Sequence, residues 1–139
     1  MRIRISEGSN YLRGLLVLSR KDRRIAVPEI RLIKRVGKAL GYCPTFCADA
    51  IREILNNKYI QDLPPVFSSQ LLAQKFVKDG LVLASSDNQV HPSEEEWLRS
   101  VVEKNGLCQA WFRREFARAT GSVRHARRLE ADSLGIVYC

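Results

Sequence analysis

A chain of 139 residues, 45% of them hydrophobic and 27% charged, has the size and balance of a single globular domain. No apolar run approaches the ~20 residues that a membrane-spanning helix needs, and the basic N-terminus is not followed by the apolar core of a secretion signal. The four cysteines are too scattered to indicate a disulfide framework. We therefore expect one cytoplasmic domain over residues 1–139, without a transmembrane segment and with reduced thiols.

Apolar residues recur at spacings of three and four along nearly the whole chain, which predicts an all-α fold of about seven helices. The first helix is expected over 10–19. The second should begin at Pro28, a residue favoured in the first turn, and end at Gly41. The third should open around Pro44. No segment shows the alternation of a strand.

The second half of the chain predicts four more helices. The fourth is expected over 69–84, and the fifth at Ser93, where Glu96 three residues later suggests a capping box. Gly106 should end the fifth helix. The sixth should turn one apolar stripe inward, formed by Phe112, Phe116 and Ala119. A basic seventh helix is expected over about 121–133, with Leu129 inward.

The sequence repeats itself without gaps when it is shifted against itself by a constant offset. Adding 65 to the residue number places Leu16–Leu18 on Leu81–Leu83, Asp22 on Asp87, Ile25 on Val90, Glu29 on Glu94, Gly41 on Gly106 and Cys43 on Cys108. We therefore predict two pseudo-symmetric helical units, over about 10–57 and 68–120, that share one core. That core should bring Leu16, Ile30, Ile33 and Val36 against Leu81, Trp97, Leu98 and Val101.

Each unit carries the pattern D-x-x-I/V-x-x-x-E after an apolar helix, and this pattern resembles the TerB-like family of tellurite-resistance and stress proteins. The resemblance covers roughly residues 10–107. It implies a compact helical domain and does not imply an enzyme. Such a domain would act as an interaction module with another protein or in a membrane-associated or stress-response complex, and is proposed to bind metal through its acidic positions.

The repeated carboxylates have two interpretations. As structural residues, they cap loops and favour the positive ends of helix dipoles. As ligands, they would form one weak site for calcium, magnesium or manganese shared between the units, built from Asp22, Glu29, Asp87 and Glu94. Neither loop supplies enough oxygens alone, and the second should dominate because Glu95 and Asp79 add negative charge there.

The net charge of +8 is uneven, since residues 1–41 carry +8, residues 42–107 carry −3 and residues 108–139 carry +3. Basic side chains at both ends are candidates for an anionic partner, namely Arg20, Lys21, Arg23, Arg24, Arg124, Arg127 and Arg128. A solvated basic face is the simpler interpretation. The alternative function is that of a small nucleic-acid-binding protein.

The sequence contains no phosphate loop, nucleophile elbow or zinc-protease helix, so we predict that the protein is not an enzyme. Zinc is a minor alternative. Its ligands would be Cys43, Cys47 and Cys108 with His91 or His125, although nothing in the spacing brings these side chains together.

Overall fold

The computed structural model describes residues 1–21, 27–56, 61–86, 90–121 and 129–137. Those residues form six α-helices, one 3₁₀ helix and two short strands. In chain order they are β1 (Arg2–Arg4), α1 (Ile5–Arg20), α2 (Val27–Ala39), α3 (Pro44–Asn56), α4 (Gln70–Ala84), α5 (Pro92–Lys104), α6 (Gln109–Gly121), the 3₁₀ helix (Glu130–Ser133) and β2 (Gly135–Val137). None of the described helices is long and apolar enough to cross a membrane.

Helices α2, α4 and α5 begin and end within two residues of the predicted positions, α3 begins at the predicted Pro44, and the predicted all-α class is confirmed. The two predicted glycine stops both have a positive φ, 89° at Gly41 and 69° at Gly106. In each stop the next residue turns its N–H back to the helix, from Tyr42 to the carbonyl of Gly37 at 2.8 Å and from Leu107 to that of Val102 at 2.9 Å. Glycine is needed at these stops because a side chain is strained in the left-handed conformation.

The predicted start of the first helix is wrong, because α1 already begins at Ile5. The additional turn contains Gly8, and glycine disfavours the interior of a helix. In the fold, a Cβ on Gly8 would come 2.7 Å from Cδ1 of Ile136, so the glycine is there to let β2 pack against α1.

The capping box predicted at Ser93 and Glu96 is also wrong. Helix α5 begins at Pro92 after His91, and it is Glu94 whose Oε1 accepts the His91 N–H at 3.1 Å. Proline suits the first helical position, which moves the cap two residues earlier than predicted. Ser93 instead donates its hydroxyl to the carbonyl of Lys21 at 3.4 Å.

The predicted C-terminal helix is wrong over 129–133. Leu129 is extended, with φ −90° and ψ 136°, and the 3₁₀ helix follows it. Strands β1 and β2 were not predicted, and they pair in parallel with Ile3 opposite Ile136. The predicted inward position of Leu129 is confirmed, since it is 2% exposed. Residues 122–128 of the predicted helix lie outside the described residues.

One apolar core joins all six helices and includes the predicted facing residues, with Ile30 partly buried at its margin. Tyr11 of α1 and Phe76 of α4 are fully buried near its centre and pack edge to face, with their ring centroids 5.3 Å apart. Because side chains from both halves share this core, each half is packed against the other.

The six helices fall into two sets of three that are related by the offset seen in the sequence. Adding 65 to the residue numbers turns Val27–Ala39 into Pro92–Lys104 and Pro44–Asn56 into Gln109–Gly121. Under the same offset, eight of the nine buried positions in α1 correspond to a buried position in α4, and all four in α2 correspond to one in α5. We refer to α1–α3 and α4–α6 as the first and second units.

Candidate binding groove

A groove of about 480 Å³ runs between α1 and α3 of the first unit. Leu12, Leu16 and Ile54 are buried and form an apolar floor, and Ala50 lies beside them. The remaining lining residues are polar or aromatic: Ser9, Arg13, Tyr42, Phe46, Glu53 and Gln61. Its volume and mixture of an apolar floor with a few polar groups are those of a ligand-binding site.

Gly37 near the end of α2 and Gly41 in the α2–α3 connection position the aromatic end of the groove. A Cβ on residue 37 would overlap Sγ of Cys47. Because Gly37 has none, α3 packs closely against α2. Gly41 then turns the chain so that Tyr42 stacks on Phe46, with ring centroids 5.1 Å apart and planes 21° apart. The Tyr42 hydroxyl hydrogen-bonds to Ser9 Oγ at 2.9 Å, which ties this end to α1.

The two charged groups of the groove are on opposite walls and do not pair with each other. Arg13, on α1, makes one long hydrogen bond of 3.5 Å to the carbonyl of Gln61. Glu53, on α3, forms no ion pair with any described residue. Both side chains are exposed, so the guanidinium and the carboxylate are available to an incoming molecule.

The equivalent positions of the second unit carry larger or more buried side chains. Ala50 corresponds to Glu115, whose side chain is only 13% exposed. Phe46 is 50% exposed, whereas its equivalent Trp111 is packed against the core. The groove of the first unit is thus lined by a small alanine at a position where the second unit has a glutamate. The groove was not predicted, although the repeat offset pairs Ala50 with Glu115.

The predicted metal ligands are only partly placed. Glu29 and Glu94 are both buried, at 2% and 1% exposure, at equivalent positions in the first turns of α2 and α5. Asp22 and Asp87 lie outside the described residues. Asp79 is committed elsewhere, because its carboxylate accepts hydrogen bonds from Tyr11 and from the 3₁₀ helix. Among the described residues, no three metal-binding side chains come together.

Cys43, Cys47 and Cys108 are free thiols, two of them exposed and Cys47 buried. They form no cluster with His91 that could hold a metal within the described part of the chain. Cys139 and His125 are outside it.

The basic candidates Arg20 and Lys21 already form ion pairs with another residue of the same chain. Both form ion pairs with Asp62, Lys21 at 2.9 Å, and Arg20 also donates to the carbonyl of Ile54 at 3.2 Å. Partial burial acts to raise the pKa of Asp62, but the hydrogen bonds from Arg20 and Lys21 lower it below its usual value. These contacts hold the α3–α4 connection against α1. Arg23, Arg24, Arg124, Arg127 and Arg128 lie outside the described residues, so their anion binding stays a prediction.

The chain matches no family model, no curated protein and no known structure.

Proposed function

We propose that the protein is a non-enzymatic interaction module and that the groove between α1 and α3 is the surface with which it holds an apolar part of another molecule. The observation that carries this proposal is the difference between the units. At equivalent positions the second unit has the larger Glu115, 13% exposed, and Trp111 packed against the core, whereas the first has Ala50 and the half-exposed Phe46 lining the groove. The half-exposed Phe46 stands beside the apolar floor, so a molecule that entered the groove would cover its ring.

Filling the groove should therefore abolish binding without harming the fold. Ala50→Leu adds an apolar side chain to the groove at almost no cost in helix propensity. We expect the neutral fluorophore N-phenyl-1-naphthylamine to bind the wild type, and Ala50→Leu to weaken that binding by at least about tenfold, or about 1.4 kcal/mol. Fluorescence titration measures both affinities.

The matched control is Ala117→Leu, the same change on the exposed face of α6. It should leave the affinity for the fluorophore unchanged, and circular dichroism should show that both variants are as helical as the wild type. If the wild type does not bind the fluorophore, or if Ala50→Leu binds it as well as Ala117→Leu does, the proposal is wrong.

A second proposal, favoured by the equivalent burial of Glu29 and Glu94, is a weak divalent-ion site of the TerB type. Asp22 and Asp87 would complete it. If such a site exists, millimolar calcium, magnesium or manganese should raise the melting temperature. Asp87→Asn combined with Glu94→Gln should remove that increase. A wild type whose melting temperature does not change with any of the three ions would leave Glu94 as a helix cap only.

A further inference from the structure

The lining of the groove is long enough to hold two turns of a helix. On α1 its lining extends from Ser9 to Leu16, and on α3 from Phe46 to Ile54. At 1.5 Å per residue these walls are about 10 and 12 Å long, or two helical turns. An amphipathic helix presents apolar side chains at i, i+4 and i+7 over the same length.

The walls of the groove also differ in charge. Arg13 on the α1 wall has unused N–H donors, since it makes one hydrogen bond to the described residues, and Glu53 on the α3 wall has no described ion-pair partner. No ion pair joins the two side chains, so each can still contact a charged group of an incoming molecule. Each charge would attract an opposite charge on a different side of a bound helix.

We propose that the groove takes an amphipathic helix of a partner protein, whose apolar stripe is flanked by an acidic residue facing Arg13 and a basic residue facing Glu53. This inference rests on the proposed function and adds the chemistry of the partner. A helix flanked by two basic residues would place one of them against Arg13, and a helix flanked by two acidic residues would place one against Glu53. Either helix should bind less tightly because of this like-charge contact.

Three peptides of about 15 residues, close to the shortest length that forms a helix in water, test the charge pattern. They share leucines at i, i+4, i+7 and i+11, and carry one acidic and one basic flank, two basic flanks, or two acidic flanks. Their affinities are measured by displacement of N-phenyl-1-naphthylamine at low ionic strength. The wild type should bind the mixed peptide about two- to fivefold more tightly than either other peptide, the range expected for exposed charge pairs.

Two charge reversals should change this order predictably. Glu53→Lys makes both walls basic and should prefer the peptide with two acidic flanks. Arg13→Glu makes both walls acidic and should prefer the peptide with two basic flanks. Glu53→Lys is the safer variant for folding, because Glu53 is exposed and holds no other described residue. Raising the salt concentration should reduce all of these preferences.

The outcomes separate the two proposals. If the fluorophore binds but no peptide displaces it at millimolar concentration, or if the order of the three peptides is the same for the wild type and both variants, the helical partner is wrong and the groove remains a site for another apolar ligand. If the fluorophore itself does not bind, the proposed function fails.

Discussion

Asp79 is a buried carboxylate at which three parts of the chain meet. Its oxygens accept hydrogen bonds from the hydroxyl of Tyr11 at 2.5 Å and from the N–H groups of Glu130 and Ala131 at 2.6 and 2.9 Å. Burial raises its pKa from the usual 3.8 to about 6, although these hydrogen bonds act to lower it. Asp79 therefore fastens the C-terminal segment to α1 and α4 while its charge is held in an apolar environment.

This raised pKa predicts a pH dependence of stability. Between about pH 4 and 6 the folded protein binds the Asp79 proton more tightly than the unfolded chain does, so this group's contribution to the free energy of unfolding falls as the pH rises through that window. Asp79→Asn should remove that part of the slope. It should also lower the stability at pH 7 by about 1–3 kcal/mol, because an amide cannot accept all three hydrogen bonds.

Urea denaturation at pH 4, 5, 6 and 7 measures this slope. The matched control is Asp49→Asn, since Asp49 is an exposed aspartate of α3 that forms only a surface ion pair with Arg52. An Asp79→Asn variant with the wild-type slope between pH 4 and 6 would contradict the assignment.

Gly37 tests the close packing that positions α3. A methyl group at this position would overlap Sγ of Cys47, so Gly37→Ala should destabilise the protein by about 1–3 kcal/mol. In a Cys47→Ala background the sulfur is gone, and the nearest remaining contact is the Cβ of residue 47 at 3.7 Å. There the same change should stabilise the protein by about 0.5–1 kcal/mol, because alanine favours a helix more than glycine does.

A double-mutant cycle from chemical denaturation measures this change of sign. If Gly37→Ala has the same effect in both backgrounds, Gly37 is not where α3 and α2 make their closest approach.

At the scale of the elements, the sequence predicted those features that are encoded locally. Helices α2 to α6 have strong helical periodicity, and glycine or proline lies at several of their ends. Strands β1 and β2 are too short to show alternation, and they join opposite ends of the chain, with Arg2 opposite Gly135. The turn at Leu129 also has no local signal, because it depends on Asp79 accepting the N–H groups of the 3₁₀ helix.

The groove, too, could be predicted from the sequence only in part. That Leu12, Leu16 and Ile54 are apolar follows from helical periodicity. Which helix faces leave a space between them depends on how α1 and α3 pack, and periodicity cannot give this. Arg20 and Lys21 were predicted as partner-binding residues because they lie in a basic stretch, but Asp62, which is distant in sequence, pairs with both.

At the scale of the whole molecule, the two units have their helices at equivalent positions. They differ at residues that contact other segments of the chain. Gly14 and Asp79 occupy equivalent positions in α1 and α4. A Cβ on Gly14 would come 2.7 Å from Cζ of Phe76 and 3.0 Å from Cγ of Pro65, so both the packing of α4 and the segment after the first unit need the glycine. The equivalent segment after the second unit contains Glu130 in place of Pro65, and its N–H groups bond to Asp79. Proline has no backbone N–H, so a carboxylate in place of Gly14 could not accept a hydrogen bond from Pro65 as Asp79 does from Glu130.

These differences bear on where the proposed interaction surface lies. The second unit has Asp79 to hold the C-terminal segment. At the positions equivalent to Ala50 and Phe46 it carries Glu115, whose side chain is 13% exposed, and Trp111, which packs against the core. The groove lies on the first unit, and we therefore propose that unit as the interaction surface.

Amide chemical shifts, measured on ¹⁵N-labelled protein during titration with N-phenyl-1-naphthylamine, test this placement most directly. We predict saturable shifts that are concentrated at Leu12, Phe46 and Ala50 and their neighbours in α1 and α3. The equivalent residues of the second unit, Val77, Trp111 and Glu115, should change little. Shifts of equal size in both units, or shifts confined to the second, would contradict the account.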